Sequence, residues 1–308
     1  MDTRRIGSLE VSAVGLGCNN FGTRLDFYAS ASVVETALEA GVTCFDTADV
    51  YGAGRSEEFL GSVLAPHRER VVIATKFGMD MGDGRRGARP DYVRRAAEAS
   101  LRRLGTDRID LYQLHRPDPE TPLADTLGAL DELVRAGKVR EIGCSFFSGP
   151  ELATAREAAG HGAKFASVQN EYNVLNREPE NGVLAECDRQ GLAFLPYYPL
   201  ACGVLSGKYR PGAPAPRDTR LATHGDWARR FLTARNLAAA ERLRAYAEGR
   251  GRTLLELAVS WLLSRPVVAS VIAGASTPAQ VQANVAARGW RLTPGELAEI
   301  DALTEAVP

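Results

Sequence analysis

Residues 43–52, TCFDTADVYG, place Asp46 at the end of a short apolar run and Tyr51 on the loop that follows it. The run VVIATK ends at Lys76 in the same way, and IDLYQLH ends at His115. In a parallel barrel the side chains at the C-terminal ends of the strands converge on one mouth, so residues far apart in sequence become neighbours in space. These stretches therefore predict a reaction site at one rim of a barrel of parallel strands.

Strand-like runs alternate with helix-like runs over nearly the whole chain, which is the pattern of βα units around a parallel sheet. Glycine follows several of the helix-like segments, where a helix C-cap favours a left-handed conformation. The eight predicted strands lie near 13–17, 42–47, 71–76, 109–115, 139–145, 165–170, 192–198 and 268–273. Eight such units predict an α/β protein with a (β/α)8 TIM-barrel fold.

Three segments fall outside the repeat. The stretch RRIGSLEVSAVGLG, which runs into the first barrel strand, predicts a β-hairpin that plugs the bottom of the barrel. Long connections follow the third barrel strand, at residues 77–90, and the seventh, at residues 201–235. Long ordered loops in compact domains usually act as lids or binding segments. No break in composition divides the chain, so we expect a single domain over residues 1–308.

Composition narrows the class of partner. The chain has 308 residues, 45% of them hydrophobic, which allows a large buried core. The net charge of -1 gives no long-range attraction to nucleic acid or to an anionic membrane. The start of the chain is polar, unlike a signal peptide, and no apolar stretch approaches the roughly 20 residues that span a bilayer. We therefore expect a cytoplasmic protein with a small-molecule substrate, bound to neither nucleic acid nor membrane, whose oligomeric state the sequence leaves open.

The five cysteines show neither metal-binding nor redox spacing. None of them forms a CxxC pair, and the four histidines are also scattered. We expect free, buried thiols and no metal site.

Gly82, Gly84 and Gly87 spell GxGxxG between a predicted strand and a predicted helix. A dinucleotide-binding turn needs this motif directly at the strand end, with the helix beginning inside it. Here residues 77–82 intervene before the motif can start its turn, and Pro90 follows it. We interpret these glycines as part of a flexible loop and not as a Rossmann turn.

The four polar residues at the rim form a coherent set for carbonyl chemistry. Tyr51 can donate a proton to a carbonyl oxygen, and an adjacent ammonium would lower its pKa from the reference value of about 10. Lys76 can be that ammonium, with Asp46 as the carboxylate that keeps it charged when buried. His115 can hydrogen-bond to the substrate oxygen. Each residue alone is more often core packing or an ordinary ion pair, but three at successive strand ends, with Tyr51 on the loop just beyond, favour function.

The chain resembles the aldo-keto reductases in ordered segments that span nearly its whole length: GLGCNNFG, DTADVYG, ATKFG, DLYQLH, GCS, VQNEYN, PLACGVLSGKY and GASTPAQVQAN. The resemblance implies an oxidoreductase barrel that binds NADPH, with NADH as an alternative, in an extended pose without a Rossmann fold. It implies reversible reduction of an aldehyde or ketone to the alcohol. It also implies that Asp46, Tyr51, Lys76 and His115 are the catalytic tetrad.

The resemblance further assigns contacts to the cofactor. Those to the nicotinamide are Ser145, Gln169 and Asn170 at its carboxamide and Tyr197 stacked on its ring. The loop that would bind the pyrophosphate, through backbone amides and an ammonium, comprises Pro199, Leu200, Ala201, Cys202, Gly203, Leu205, Gly207 and Lys208. The other implied contacts are Cys18, Asn19 and Asp46, Arg220 closing from the long loop, Gly274 and Ser276 at the adenosine phosphate, and Gln280 and Asn284 at adenine.

Three positions depart from common patterns of this family. Phe146 stands where many members have Asn after the serine. Ser276 occupies a position often held by an Arg that would grip the 2'-phosphate, and Ala283 replaces a frequent Glu near adenine. These departures weaken the expected preference for NADP over NAD without removing it.

Two other hypotheses stay open. The strings PLACGVLSGKY and GAS are closest to the branch that includes voltage-gated potassium channel β subunits, so the chain could be a cofactor-binding regulatory subunit of a partner protein. Those subunits have Asn where this chain has His115, and the chain lacks their extra N-terminal segment, which favours an enzyme. The other hypothesis is a lyase that uses Lys76 as a Schiff base. The sequence does not identify the substrate, because the walls of the pocket would be formed by loops, which vary without changing the chemistry.

Overall fold

A computed structural model describes residues 2–82, 84–217, 219–223 and 225–305 of the protein. The first two strands, β1 (Thr3–Ile6) and β2 (Leu9–Ser12), pair antiparallel as a hairpin. The eight strands that follow form one sheet: β3 (Val14–Gly17), β4 (Cys44–Asp46), β5 (Val72–Phe77), β6 (Ile109–Leu114), β7 (Val139–Ser145), β8 (Phe165–Glu171), β9 (Ala193–Tyr197) and β10 (Val271–Gly274).

The sheet is parallel throughout and curls into a barrel. Its strand order is β10-β3-β4-β5-β6-β7-β8-β9, so each strand from β3 to β8 pairs with its successor in the chain and β10 pairs with β3. Between β9 and β10 the backbone amide of Phe194 donates to the carbonyl of Val267 at 2.7 Å, and the amide of Ala269 donates to the carbonyl of Phe194 at 3.0 Å. These bonds close the barrel, and the predicted (β/α)8 fold is confirmed.

Helices cover the outside of the barrel. The α-helices are α1 (Phe27–Glu39), α2 (Arg55–Leu64), α3 (Pro90–Leu104), α4 (Leu123–Arg135), α5 (Gly149–Ala158), α6 (Val183–Gln190), α7 (Arg220–Thr223), α8 (Gly225–Phe231), α9 (Ala234–Glu248), α10 (Leu254–Leu263), α11 (Pro278–Ala286) and α12 (Pro294–Glu305). Short 3-10 helices span Tyr51–Gly54, Ala65–Arg70, Glu178–Glu180, Ala201–Ser206 and Ala287–Gly289. The predicted glycine caps occur where expected, as at Gly105 after α3 and Gly191 after α6, both left-handed.

The N-terminal hairpin closes one end of the barrel. Ile6, Leu9 and Val11 are fully buried and pack with residues inside the barrel, among them Val72 and Ala193, which open their strands. The N-terminal ends of the strands therefore face the hairpin, as predicted, and the opposite rim is left for the site.

Both long connections are present. Between β5 and α3, Gly82, Gly84 and Gly87 have φ values of 88°, 79° and 87° and lie outside any helix, so the motif is part of a loop as interpreted. The segment predicted as a loop at 201–235 instead contains α7, α8 and a 3-10 helix. Aromatic contacts hold it in place, since the ring of Trp227 lies 5.3 Å from that of Tyr198 at the barrel rim.

In the described ranges, no helix is long and apolar enough to cross a membrane. The five cysteines are all unpaired, four of them buried and Cys202 partly exposed. The same ranges hold no cluster of His, Cys, Asp and Glu that could bind a metal ion.

Candidate active site

Three consecutive strands bring the four predicted catalytic residues to one rim. Asp46 is the last residue of β4, Lys76 is the penultimate residue of β5, and His115 directly follows β6. Tyr51 begins the 3-10 turn that follows β4. Because β4, β5 and β6 are adjacent and parallel, their C-terminal ends lie side by side.

A buried ion pair forms the floor of this group. Lys76 Nζ donates to both carboxylate oxygens of Asp46, at 2.8 and 2.7 Å, and to the Thr47 carbonyl at 2.9 Å. Asp46 Oδ1 also accepts from Gln169 Nε2 at 2.8 Å and from Gln113 Nε2 at 3.4 Å. Lys76 is 0% exposed and Asp46 3% exposed, so these bonds replace the water that both charges have lost.

Tyr51 and His115 lie above the ion pair. Lys76 Nζ is 5.3 Å from the centre of the Tyr51 ring. The rings of Tyr51 and His115 meet edge to face with their centres 5.8 Å apart. The four side chains therefore form one group, as the sequence predicts.

The pKa of the Tyr51 phenol is raised well above its ordinary value. Burial is the main cause and the Asp46 carboxylate the second, because both disfavour a phenolate. The predicted lowering of this pKa by Lys76 is therefore wrong in this structure. The ammonium lies against Asp46, which offsets its charge before it reaches the phenol. Tyr51 consequently keeps its proton at neutral pH.

His115 is held in its neutral form. Burial lowers the pKa of its imidazole well below the usual value, and the charges of Lys76 and Arg116 lower it further. Its Nδ1 is buried and has no hydrogen-bond partner among the described residues. A neutral imidazole offers one N–H donor and one acceptor, so His115 can donate a hydrogen bond without competing with Tyr51 as an acid.

The residues predicted at the nicotinamide carboxamide all make hydrogen bonds within the protein. Ser145 Oγ donates to the Gln169 carbonyl at 2.6 Å, and the Gln169 amide nitrogen faces Asp46. Asn170 uses both ends of its amide, because Oδ1 accepts from the Phe146 amide at 2.7 Å and Nδ2 donates to the Phe147 carbonyl at 2.8 Å. These bonds fix the corner after β7, and the contact of Asn170 with the carboxamide stays a prediction.

Tyr197 ends β9 with a half-buried ring. The centre of its ring lies 5.4 Å from that of Phe146 and 5.0 Å from that of Tyr198. The ring therefore lies at the rim among other aromatic rings, and its stacking on a nicotinamide stays a prediction.

The loop predicted to bind pyrophosphate has an unusual backbone. Ala201, Cys202 and Gly203 all have positive φ, at 44°, 54° and 96°. Position 203 favours glycine because its φ lies in the left-handed region, and the Cα of Gly203 lies close to the end of the Lys208 side chain, since a Cβ there would be 2.7 Å from Lys208 Cε. The predicted contacts that reach the surface are Leu200, Cys202, Gly203, Gly207 and Lys208. Pro199, Ala201 and Leu205 are buried, and their place in a loop that binds pyrophosphate through its backbone stays a prediction.

Arg220 connects three loops across the mouth. Its Nη2 donates to Asn19 Oδ1 at 3.2 Å and also to Asn20 Oδ1. Asn20 Nδ2 in turn donates to Ser276 Oγ at 3.1 Å. Cys18, by contrast, is fully buried, and its contact with the cofactor stays a prediction.

The residues predicted at the adenosine end gather at the start of α11. Gln280 Oε1 accepts from the Ser276 amide at 2.8 Å. Asn284 is buried with its Nδ2 3.5 Å from the Gly274 carbonyl, whereas Gly274 itself is exposed. These four residues lie together, and the contact of Asn284 with adenine stays a prediction.

Three functional candidates were missed from the sequence. Gln113 touches Asp46, and its position two residues before His115 on the same strand would have placed it on the same face. Asn20 stands beside the predicted Asn19, but nothing in the sequence distinguishes it. Arg116 follows His115 and lies with its guanidinium carbon 4.1 Å from the centre of the Phe146 ring, a contact that only the fold creates.

Comparisons with known proteins agree on one family. The model of the aldo/keto reductase family matches residues 13–305. Over 310 residues the chain is 34% identical to L-glyceraldehyde 3-phosphate reductase of Escherichia coli, covering 95% of this chain and 89% of that protein. Over 306 residues it is 33% identical to aldo-keto reductase YhdN of Bacillus subtilis, covering 96% and 91%. A solved structure of a glycerol dehydrogenase from Gluconobacter oxydans matches with a TM-score of 0.85 and 31% identity, covering 98% of this chain and 94% of that one.

The expected closeness to the potassium channel β-subunit branch is not borne out. The relatives that match over almost the whole chain are bacterial enzymes named as reductases or a dehydrogenase. The string that prompted the expectation contains the three consecutive positive-φ residues 201–203. Backbone conformation constrains which residues fit such a loop, whatever the protein does.

Proposed function

Because the chain belongs to the aldo/keto reductase family, whose members use nicotinamide cofactors, we propose that it reduces an aldehyde or ketone reversibly to the alcohol with NADPH. The observation that carries the proposal is the group formed by Tyr51, His115 and the buried pair of Lys76 and Asp46 at one rim. In it, Tyr51 is the proton donor. The regulatory-subunit alternative is not favoured, since the relatives are named as enzymes.

The chemistry follows from the charges at the rim. The bound nicotinamide supplies a hydride to the carbonyl carbon. As negative charge develops on the carbonyl oxygen, the Tyr51 hydroxyl gives up its proton to that atom, and the neutral His115 N–H stabilises the same oxygen. Lys76 then lies 5.3 Å from the ring that becomes a phenolate, held in position by Asp46. The raised pKa of Tyr51 keeps the proton in place until this step.

The residues present fit a phosphorylated cofactor. Burial lowers the pKa of Lys208, and the charges of Arg24 and Arg220 lower it further, so three cations lie near one another beside the positive-φ loop. An anion between them would relieve their repulsion. This cluster supports a cofactor with a pyrophosphate, which NADPH and NADH share, and the choice of NADPH rests on the family resemblance.

Names of similar proteins guide the choice of substrate. Relatives named for L-glyceraldehyde 3-phosphate reduction and for glycerol dehydrogenation both point to small, hydroxylated three-carbon compounds. We propose short hydroxyaldehydes as the substrate class for this chain. Glyceraldehyde and its 3-phosphate are the first compounds to assay.

The Schiff-base hypothesis is disfavoured by the environment of Lys76. A nucleophilic amine must be unprotonated and accessible. Lys76 Nζ instead makes three hydrogen bonds to oxygen atoms and is fully buried. Borohydride trapping with an aldehyde should therefore leave Lys76 unmodified.

The test is the variant Tyr51→Phe, assayed by NADPH absorbance with glyceraldehyde and by NADPH fluorescence for binding. We expect turnover to fall by about 100-fold or more, as for loss of a general acid, with the Kd for NADPH unchanged. Tyr28→Phe is the matched control, since Tyr28 is 81% exposed on α1. Full activity in Tyr51→Phe would show that another group donates the proton. Wild-type protein that binds NADPH but reduces no carbonyl in a broad panel would refute the reductase proposal.

A further inference from the structure

We propose that Arg116, supported by the ring of Phe146, binds an anionic group on the substrate, so that the preferred substrates are small carbonyl compounds bearing a phosphate ester or a carboxylate. The proposal rests on the proposed carbonyl reduction and specifies its substrate class. It assigns a role to two residues that the catalytic group does not use.

Arg116 stands at the mouth of the site. It directly follows His115, so their Cα atoms are about 3.8 Å apart. Its charge helps to lower the pKa of His115. It also lowers the pKa of Tyr197, against the larger effect of burial, which raises that pKa. An anion bound by Arg116 would therefore lie close to a carbonyl oxygen bound by His115.

The charge of Arg116 is not matched by an acid. Lys76 pairs with Asp46, and Arg230 pairs with Glu171. Arg116 is exposed, and among the described residues no carboxylate lies within ion-pair distance of it. An unmatched cation beside a proposed substrate pocket is suited to an anionic ligand.

Stacking holds the guanidinium while leaving its donors available. The Arg116 guanidinium carbon lies 4.1 Å from the centre of the Phe146 ring, a cation–π contact. A cation–π contact uses none of the N–H donors, and the fork of a guanidinium matches the oxygens of a phosphate or carboxylate. The arginine is thus restrained before a ligand binds, which reduces the entropy lost on binding.

Phe146 is held in a conformation that packing alone does not explain. It has φ 63°, in the left-handed region that bulky residues rarely adopt, and its side chain is 37% exposed. Its amide is fixed by Asn170 Oδ1 at 2.7 Å. Backbone strain of this kind clusters at binding sites, and here it turns an apolar ring outward beneath a cation.

The experiment compares matched substrates in Arg116→Gln and Arg116→Lys. One pair is glyceraldehyde 3-phosphate and glyceraldehyde, and the other is succinate semialdehyde and butanal. For Arg116→Gln we expect kcat/KM to fall by roughly 10- to 100-fold for the anionic member of at least one pair, the size of a lost charged hydrogen bond, with the neutral member unaffected. The loss should appear mainly in KM, and Arg116→Lys should restore part of it. Which pair responds tells whether the anion is a phosphate or a carboxylate.

Arg94→Gln serves as the charge control, because Arg94 is exposed on α3, outside the barrel, and pairs with Glu132. It should leave all four substrates unchanged. Equal losses for neutral and anionic substrates in Arg116→Gln, or no wild-type preference for either anionic substrate, would overturn the role of Arg116. Those outcomes leave carbonyl reduction intact, whereas failure of wild type to reduce even the neutral aldehydes would instead refute the proposed function.

Discussion

Asp49 is a buried carboxyl group two residues before Tyr51, and its pKa is raised to about 7. Burial is the main cause and the nearby Glu57 the second, while Arg103 opposes them. Its Oδ1 has no hydrogen-bond partner among the described residues. The native state thus binds a proton more tightly than the unfolded chain, whose carboxyl has the ordinary value of 3.8.

From that difference we predict the pH dependence of Asp49→Asn. Between about pH 4 and pH 7 the native carboxyl keeps a proton that the unfolded chain has lost, so wild-type stability falls as pH rises, by at most about 1.4 kcal/mol per pH unit. The amide does not titrate, so the variant should gain stability relative to wild type across this window, with no further gain above it. Urea unfolding at pH 5, 6, 7 and 8 measures the difference. A difference that stays constant over these values would contradict the prediction.

At the scale of residues, the sequence predicted which side chains meet but not how they bond. Asp46, Lys76 and His115 end successive strands, so their convergence follows from topology alone. The rise in the pKa of Tyr51 could not be predicted, because it depends mainly on how deeply the fold buries the phenol and then on how close the Asp46 carboxylate lies. The two hydrogen bonds of the Asn170 side chain could not be predicted either, since they depend on the turn that Phe146 makes after β7.

Helix α2 packs against α3 so closely that one position admits only glycine. A Cβ on Gly61 would lie 2.4 Å from the carbonyl oxygen of Leu104, a backbone atom that cannot move aside alone. Gly128 offers a matched comparison in α4, where a Cβ would meet nothing within 4 Å. Both residues lie inside helices, so their intrinsic helix propensities are the same.

We predict opposite effects of alanine at these two positions. Gly61→Ala should lower the free energy of unfolding by about 1 to 3 kcal/mol, because the two helices must separate. Gly128→Ala should raise it by up to about 1 kcal/mol through helix propensity alone. Denaturant unfolding of the two variants beside wild type gives both values. If both substitutions changed the free energy of unfolding in the same direction, the contact between α2 and α3 would have to relax easily.

At the scale of elements, strong periodicity made prediction accurate. The eight barrel strands lie within a few residues of their expected bounds, because each is an apolar run bounded by polar residues. The helices α7 and α8 were missed inside the predicted loop at 201–235. They are four and seven residues long, too short to show a helical period, and their aromatic contacts join residues distant in sequence.

At the scale of the whole molecule, the two ends of the barrel carry different features. The hairpin lies at the N-terminal ends of the strands, whereas the catalytic group lies at the C-terminal ends. We propose that residues 1–308 fold as one domain, because the sheet continues from β3 to β10 and closes. Damage at the hairpin should then weaken the whole barrel while leaving the geometry of the distant rim unchanged.

Leu9→Ala tests this separation of stability from activity. Leu9 is fully buried in β2, so its truncation should cost about 2 to 5 kcal/mol of unfolding free energy through lost apolar contact and a cavity. Glu10→Ala on the exposed side of the same strand should cost little. At a temperature where both variants are folded, kcat/KM should match wild type, since no residue at the rim has moved. Circular dichroism and tryptophan fluorescence should report one shared, lowered midpoint for Leu9→Ala. Two separate transitions would contradict a single domain, and a fall in kcat/KM of the folded variant would show that the hairpin influences the catalytic rim.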